Sequence, residues 1–222
     1  MTGLSRREQN RLDKRQRALD AALTVFSENG YAAATMDAIA AKAGMTKPTL
    51  YQYFDGKDAL FQAMMLVPRD SMLTVFDAPS DVCHVTQLWR FSWAYADVVM
   101  QPQFLALARL VIGDAHRAPD LGRAYQASGP DRVKDGLAEF MAAQAQQGRL
   151  VIDDPELAAE DFWGLILSSP RNAALHMPNA APNRAELARY VHNGQRVFLR
   201  AYSADPTQDL IVLETLISEQ SE

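Results

Sequence analysis

Only one cysteine, Cys83, occurs among 222 residues. That excludes an intrachain disulfide and a cysteine-based zinc cluster, and it fits a reducing compartment. Long apolar runs are missing too. The most apolar window, Phe104 to Ile112, is interrupted by Arg109 and falls well short of the roughly 18 apolar residues of a membrane span. No apolar stretch of signal-peptide length follows the basic N-terminus. These absences predict a cytoplasmic protein with no membrane partner. The histidines at 84, 116, 176 and 192 show no i, i+4 pairing, which argues against a metal site. Neither a phosphate-cradling glycine loop nor a Gly-x-Ser-x-Gly elbow is present. The paired acids Asp153-Asp154 precede Pro155 and read as a loop and helix N-cap. No catalytic residue and no cofactor is therefore expected, and an all-α enzyme is the weaker alternative.

What the chain does have is apolar residues in quantity, 48% against 22% charged, enough to build a sizeable core. Its net charge of -5 is unevenly spread. Up to Leu66 there are nine Lys and Arg against seven Asp and Glu, and beyond it thirteen against twenty. A basic head on an acidic body confines attraction for phosphate to one end.

Nearly every periodic stretch has helical spacing and none alternates as a strand does, so the fold is read as all-α. Ser5 and Glu8 form a capping box for a first helix with the stripe Leu19, Ala22, Leu23 and Phe26, ended by Gly30. Thr35 caps a short second helix closed by Gly44, and Thr46 caps a third with Pro48 in its first turn. Leu50 and Phe54 turn one side of the third helix inward, leaving Lys47, Thr49, Gln52 and Tyr53 outside. A fourth helix is expected from Asp55, boxed by Asp58, to the neighbourhood of Pro68. After a loop at Asp77, Pro79 and Ser80, helices are expected over 82–100, 103–115, 120–147, 155–176 with a kink at Pro170, and 184–203. A short terminal helix is expected around 210–217. Pro102, Pro119, Gly148, Pro178 and Pro182 supply the breaks.

Two short helices joined by a glycine-containing turn are the geometry that presents a recognition helix to the major groove. A helix made only for packing has little use for Thr46, Lys47, Thr49, Tyr51, Gln52 and Tyr53 around so small an apolar face. Such side chains contact phosphates and base edges. A helical adaptor that binds protein through the same helices is the alternative from another class.

The stretch from Ala21 to Leu60 closely resembles the N-terminal domain of the tetracycline-repressor (TetR) family. The likeness rests on Ala22, Phe26, Gly30-Tyr31, Thr35-Met36, Ile39-Ala40, Ala43-Gly44, Thr46-Lys47, Thr49-Leu50-Tyr51, Tyr53-Phe54, Lys57 and Leu60. It implies an N-terminal three-helix helix-turn-helix DNA-binding domain, residues 1–66, and a C-terminal helical effector-binding and dimerisation domain, residues 67–222. It further implies a homodimeric regulator, usually a repressor, whose palindromic double-stranded operator is released on binding a small molecule. Carried over by position, Thr35, Thr46, Lys47, Pro48, Thr49, Tyr51, Gln52, Tyr53 and Lys57 become the DNA-binding residues. Thr35 and Lys57 serve as phosphate contacts, and Gln52 is the first choice for reading adenine. The basic stretch Arg6 to Arg17 is either a supporting phosphate contact or a solvated face.

The body is less legible. Trp89, Trp93 and Asp97 share a helix face, which reads first as core. As a pocket hypothesis, Trp93, Asp97, Phe104, Arg109, His116 and Tyr125 would hold an apolar or aromatic effector. Phe162, Trp163, Ile166 and Leu167, with Leu187, Tyr190, Val191, Val197 and Phe198, exceed one apolar stripe per helix. They are the expected dimer contact, with packing inside one subunit as the alternative.

Overall fold

The computed structural model describes residues 5–77, 82–177 and 181–220. These form α1 (Arg6–Asn29), α2 (Met36–Lys42), α3 (Lys47–Tyr51), α4 (Lys57–Leu73), α5 (His84–Val99) and α6 (Pro102–Asp114), followed by α7 (Pro119–Ser128), α8 (Pro130–Gln146), α9 (Pro155–His176), α10 (Arg184–Tyr202) and α11 (Pro206–Gln220). A 3-10 turn over Thr74–Asp77 follows α4. No strand occurs among the described residues, only an isolated antiparallel bridge between Leu150 and Ser203. The chain is all-α, as its periodicity predicts. The expected breakers Pro79, Ser80 and Pro178 lie outside the described residues.

Three boundaries differ from expectation. Helix α4 begins at Lys57, where the Gly56 carbonyl accepts from the Leu60 amide, and it runs through Pro68 to Leu73. A proline interrupts only one backbone hydrogen bond directly; here the buried Met72 continues the apolar pattern past it. The stretch expected as one helix over 120–147 is two, because Gly129 ends α7 and Pro130 opens α8. Proline is favoured at a first helical position, so that signal was present locally. The terminal helix is longer than expected, starting at Pro206.

The chain divides into two compact units, Met1–Val67 with Ala106–Gly129, and Pro68–Leu105 with Pro130–Glu222. A cut after residue 66 therefore leaves out the returning segment 106–129. In the first unit Phe26, Tyr31 and Phe61 cluster at ring separations of 5.1 to 6.3 Å. Ile39, Leu50 and Leu60 are fully buried beside them, and Leu107, Val111 and Leu121 of the returning segment join the same core.

The second unit is built on α5, α8, α9, α10 and α11. At Gly194 the backbones of α9 and α10 come so close that a Cβ would lie 2.7 Å from the Leu165 carbonyl oxygen. Phe91, Phe162 and Phe198 form the centre. Buried His84 shares a 2.8 Å hydrogen bond with Asp209, whose carboxylate also accepts from Ser203 at 2.6 Å. Most of the expected dimer residues are core of this single unit. Phe162, Ile166, Leu167, Val191 and Phe198 have at most 1% of their surface exposed, and Leu187 is also buried. Trp163 is partly buried and donates from its indole to the Tyr95 hydroxyl. Of the nine, only Tyr190 and Val197 are exposed, because α9 and α10 use their second apolar face against α5, α8 and α11.

Candidate nucleic-acid interface

The helix-turn-helix is assembled from its caps. Thr35 Oγ1 accepts from the Ala38 amide at 3.2 Å, starting α2. Gly44 reverses the chain at φ +64°, a left-handed position that glycine adopts without strain. The Met45 amide donates back to Ala40 at 3.0 Å. Thr46 then caps α3, accepting from the Thr49 amide at 3.3 Å, with its hydroxyl 2.8 Å from that of Thr49. Leu50 is fully buried and Phe54 nearly so, which fixes the helix rotation.

That rotation leaves Thr35, Thr46, Lys47, Pro48, Tyr51 and Gln52 exposed, and Thr49, Tyr53 and Lys57 half-buried. The two tyrosines divide: Tyr53 packs against the core, whereas Tyr51 is 44% exposed. Lys47 pairs with Asp37 at 2.9 Å, and this hydrogen bond holds its ammonium above the ordinary lysine range. Lys57 donates to the carbonyls of Tyr31 and Ala32 at 3.0 and 3.3 Å and lies 4.6 Å from the Tyr31 ring centre. An ammonium has three donors, so one remains for a phosphate. Tyr31 in turn donates to Asp58, and burial followed by that carboxylate raises its pKa. Asp58, expected as a capping-box residue, thus serves to tie α4 to the loop after α1.

Two residues that carry the geometry have no individual signal in the sequence. Arg17 donates to the Ala43 carbonyl and braces the turn between α2 and α3. Arg15 lies over the Phe54 ring at 5.3 Å. Both belong to the basic stretch, and nothing within four residues of either marks the partner. The remaining cations face outward. Arg6, Arg7, Arg11 and Lys14 line an open groove of about 980 Å³ with Glu8, Asn10, Gln52 and Tyr53. The first buried residue of α1 is Ala18, so three turns stand clear of the core. They are held by the Ser5–Glu8 capping box, which lowers the Glu8 pKa, and by Gln9–Asp13 at 3.0 Å.

The six expected effector residues fall in different units. Arg109, His116 and Tyr125 belong to the first, Trp93, Asp97 and Phe104 to the second. Trp93 is core, crossed edge-on by Trp89 at 5.9 Å and overlaid by Arg184 at 4.3 Å, while Asp97 pairs with Arg184. His116 is exposed, and Phe104, Arg109 and Tyr125 are half-buried. Among the described residues no group of three His, Cys, Asp or Glu is placed to hold a metal ion, and no single helix is long and apolar enough to cross a membrane.

Residues 18–64 match the family described as bacterial regulatory proteins, tetR family. Residues 86–204 match the AefR-like transcriptional repressor, C-terminal domain. The chain is 33% identical over 158 residues to the HTH-type transcriptional regulator SrpR of Pseudomonas putida, covering 69% of this chain and 72% of that protein. A TetR-family transcriptional regulator from Mesorhizobium loti has the same fold at a TM-score of 0.73 and 29% identity, over 90% of this chain and 100% of that one. The flavonoid-responsive regulator FrrA matches at 0.64 and 28%, over 86% and 97%. With the recognition helix exposed and both head and body matched, the chain belongs to the TetR family of DNA-binding transcriptional regulators and is not an enzyme.

Proposed function

We propose that this regulator is a cytoplasmic repressor that binds a palindromic operator as a homodimer and releases it when a small aromatic or apolar effector binds the body. The observation that carries DNA binding is the outward face of α3, Lys47, Pro48, Tyr51 and Gln52, beside a groove lined by four cations. Gln52 reads a base edge, since an amide bonds adenine bidentately. Thr35, Thr46, Lys47, Thr49 and one free donor of Lys57 address the flanking phosphates, with Tyr51 and Pro48 in the groove and Tyr53 holding the helix in place. DNA binding is assigned to the unit that contains residues 5–67, and effector binding and dimerisation to the other.

Repression is favoured by the match of the body to a repressor domain, and an aromatic effector by the named response of FrrA. Dimerisation is assigned to what α9 and α10 leave uncovered, with Leu157 58%, Tyr190 41% and Val197 37% exposed. Gly164 and Ser168 continue that face of α9 at helical spacing, and small residues let a partner helix approach. A two-fold four-helix contact places each such face against its copy.

A mobility-shift titration with the DNA flanking its own gene tests the reading. It is expected to show a dimer on a pseudo-palindromic site, with half-sites about 34 Å apart and affinity falling steeply with salt. Binding without sequence preference would overturn it.

A further inference from the structure

We propose that a cavity in the second unit, between the 3-10 turn, α5 and α8, binds a small aromatic carboxylate. The cavity measures about 310 Å³, the lower end of small-molecule sites, which suits a ligand of one or two fused rings. One wall is aromatic. Phe76 stacks on Phe140 at 4.4 Å and on Phe91 at 5.1 Å, with interplanar angles of 20° and 23°. Phe76 is the partly exposed member, and Phe76 and Phe140 both line the cavity.

The opposite chemistry comes from Arg149. Its backbone is pinned on both sides, the amide donating to the Gln144 carbonyl and the carbonyl accepting from Ala204, each at 3.0 Å. Its Nη1 donates to the Gln144 side-chain carbonyl at 3.1 Å. A guanidinium has five N–H donors in a planar fork, so an edge remains for a bidentate carboxylate. Gln87 also lines the cavity and is 6% exposed. Its carboxamide has donors and an acceptor to offer a ligand oxygen or hydroxyl in the cavity. Glu139 is the acidic lining residue and is exposed. It precedes Gln144 by five residues on α8, about 7.5 Å along the axis. Its charge keeps a carboxylate away from that end and toward Arg149. None of the six residues expected from the sequence lines this cavity.

As the effector site the cavity rests on the ligand-responsive reading above; as a binding site it does not. The test is calorimetric titration of the full chain with 2-naphthoate, 2-naphthamide and 2-naphthylmethylammonium. Binding of the acid with the amide and the cation weaker by about tenfold or more is expected. Arg149→Gln should weaken the acid by a similar factor and leave the amide unchanged, and Ala143→Phe should fill the cavity and abolish binding, each checked for helix content. No binding of the acid at millimolar concentration, equal binding of acid and amide, or an unaltered Arg149→Gln overturns the site. The acid-to-amide comparison on the unaltered chain decides even if a variant fails to fold. Binding of the acid with operator retention unchanged upholds the site and overturns its role as effector site.

Discussion

Gln52 ends α3 with its amide in solvent, so its replacement touches recognition and little else. Gln52→Ala is expected to lose about 1–3 kcal/mol of discrimination at one operator position with the salt dependence unchanged, read by titrating operators altered one base pair at a time. Arg17 is the contrasting case. Its bond to the Ala43 carbonyl braces the turn, so Arg17→Met should weaken binding to every sequence alike and lower the melting temperature of the head. At Gly194 the constraint is steric. A methyl group there meets the Leu165 carbonyl and the Ile166 Cα at 2.7 and 3.0 Å, both backbone atoms that cannot rotate aside. Gly194→Ala should therefore destabilise the chain by about 1–3 kcal/mol, measured by thermal or urea unfolding.

Among the elements, α1 raises the clearest question, because no residue of its first three turns is buried and Arg15 alone reaches the core, over the Phe54 ring. Isolated helices of about 12–15 residues are marginal in water, so the capping box and the tie to the buried half of α1 must hold it. Four cations on that stretch share a groove with Gln52. If they meet the operator backbone, replacing Arg6, Arg7, Arg11 and Lys14 by Gln reduces the slope of log affinity against log salt by about 0.9 per lost phosphate contact. An unchanged slope would make this a solvated face. Helices α5 and α11 are fastened by the buried His84–Asp209 pair, with 8% and 10% side-chain exposure. Leaving buried hydrogen-bonding groups without their acceptor costs about 1–3 kcal/mol, so Asp209→Ala, which orphans His84 and Ser203, should unfold at lower urea than the parent.

For the whole molecule, the proposed dimer face is open to test because it lies outside the core. Tyr190→Lys with Val197→Glu leaves α10 packed and charges the face, so a monomer by sedimentation and loss of operator binding are expected; a surviving dimer would move the interface elsewhere. Stability also carries a pH signature. Burial holds the His192 imidazole below its ordinary range, so the folded chain disfavours the protonated ring. The unfolded chain takes up that proton near about pH 6.5. The contribution is present above that pH and is lost as pH falls below it. The residue is half-buried, so the effect is modest; His192→Gln should flatten the fall in melting temperature between about pH 7 and 5.

Caps were readable from sequence because each depends on residues within four positions of one another. Ser5, Thr35, Thr46 and Asp154 stand where their side chains predict, and with the Leu50 and Phe54 spacing they define the recognition helix and its exposed residues. The family resemblance lay in the same short-range pattern. What lay beyond it depends on partners far apart in the chain. An amphipathic helix records that a face is buried but not against what, so Phe162 and Val191 read as a surface for a second subunit and proved to be core of the first. The segment 106–129 joined the head although some 40 residues separate it from Val67, the residue it follows in that unit. Gln87, Gln144 and Arg149 carry no joint sequence signal at all, and only the packing of α5 against α8 and the 3-10 turn brings them to one cavity. Sequence alone determined the DNA-binding head, through local hydrogen bonding; tertiary structure decided what its body encloses, because burial is a property of surfaces that meet only after folding.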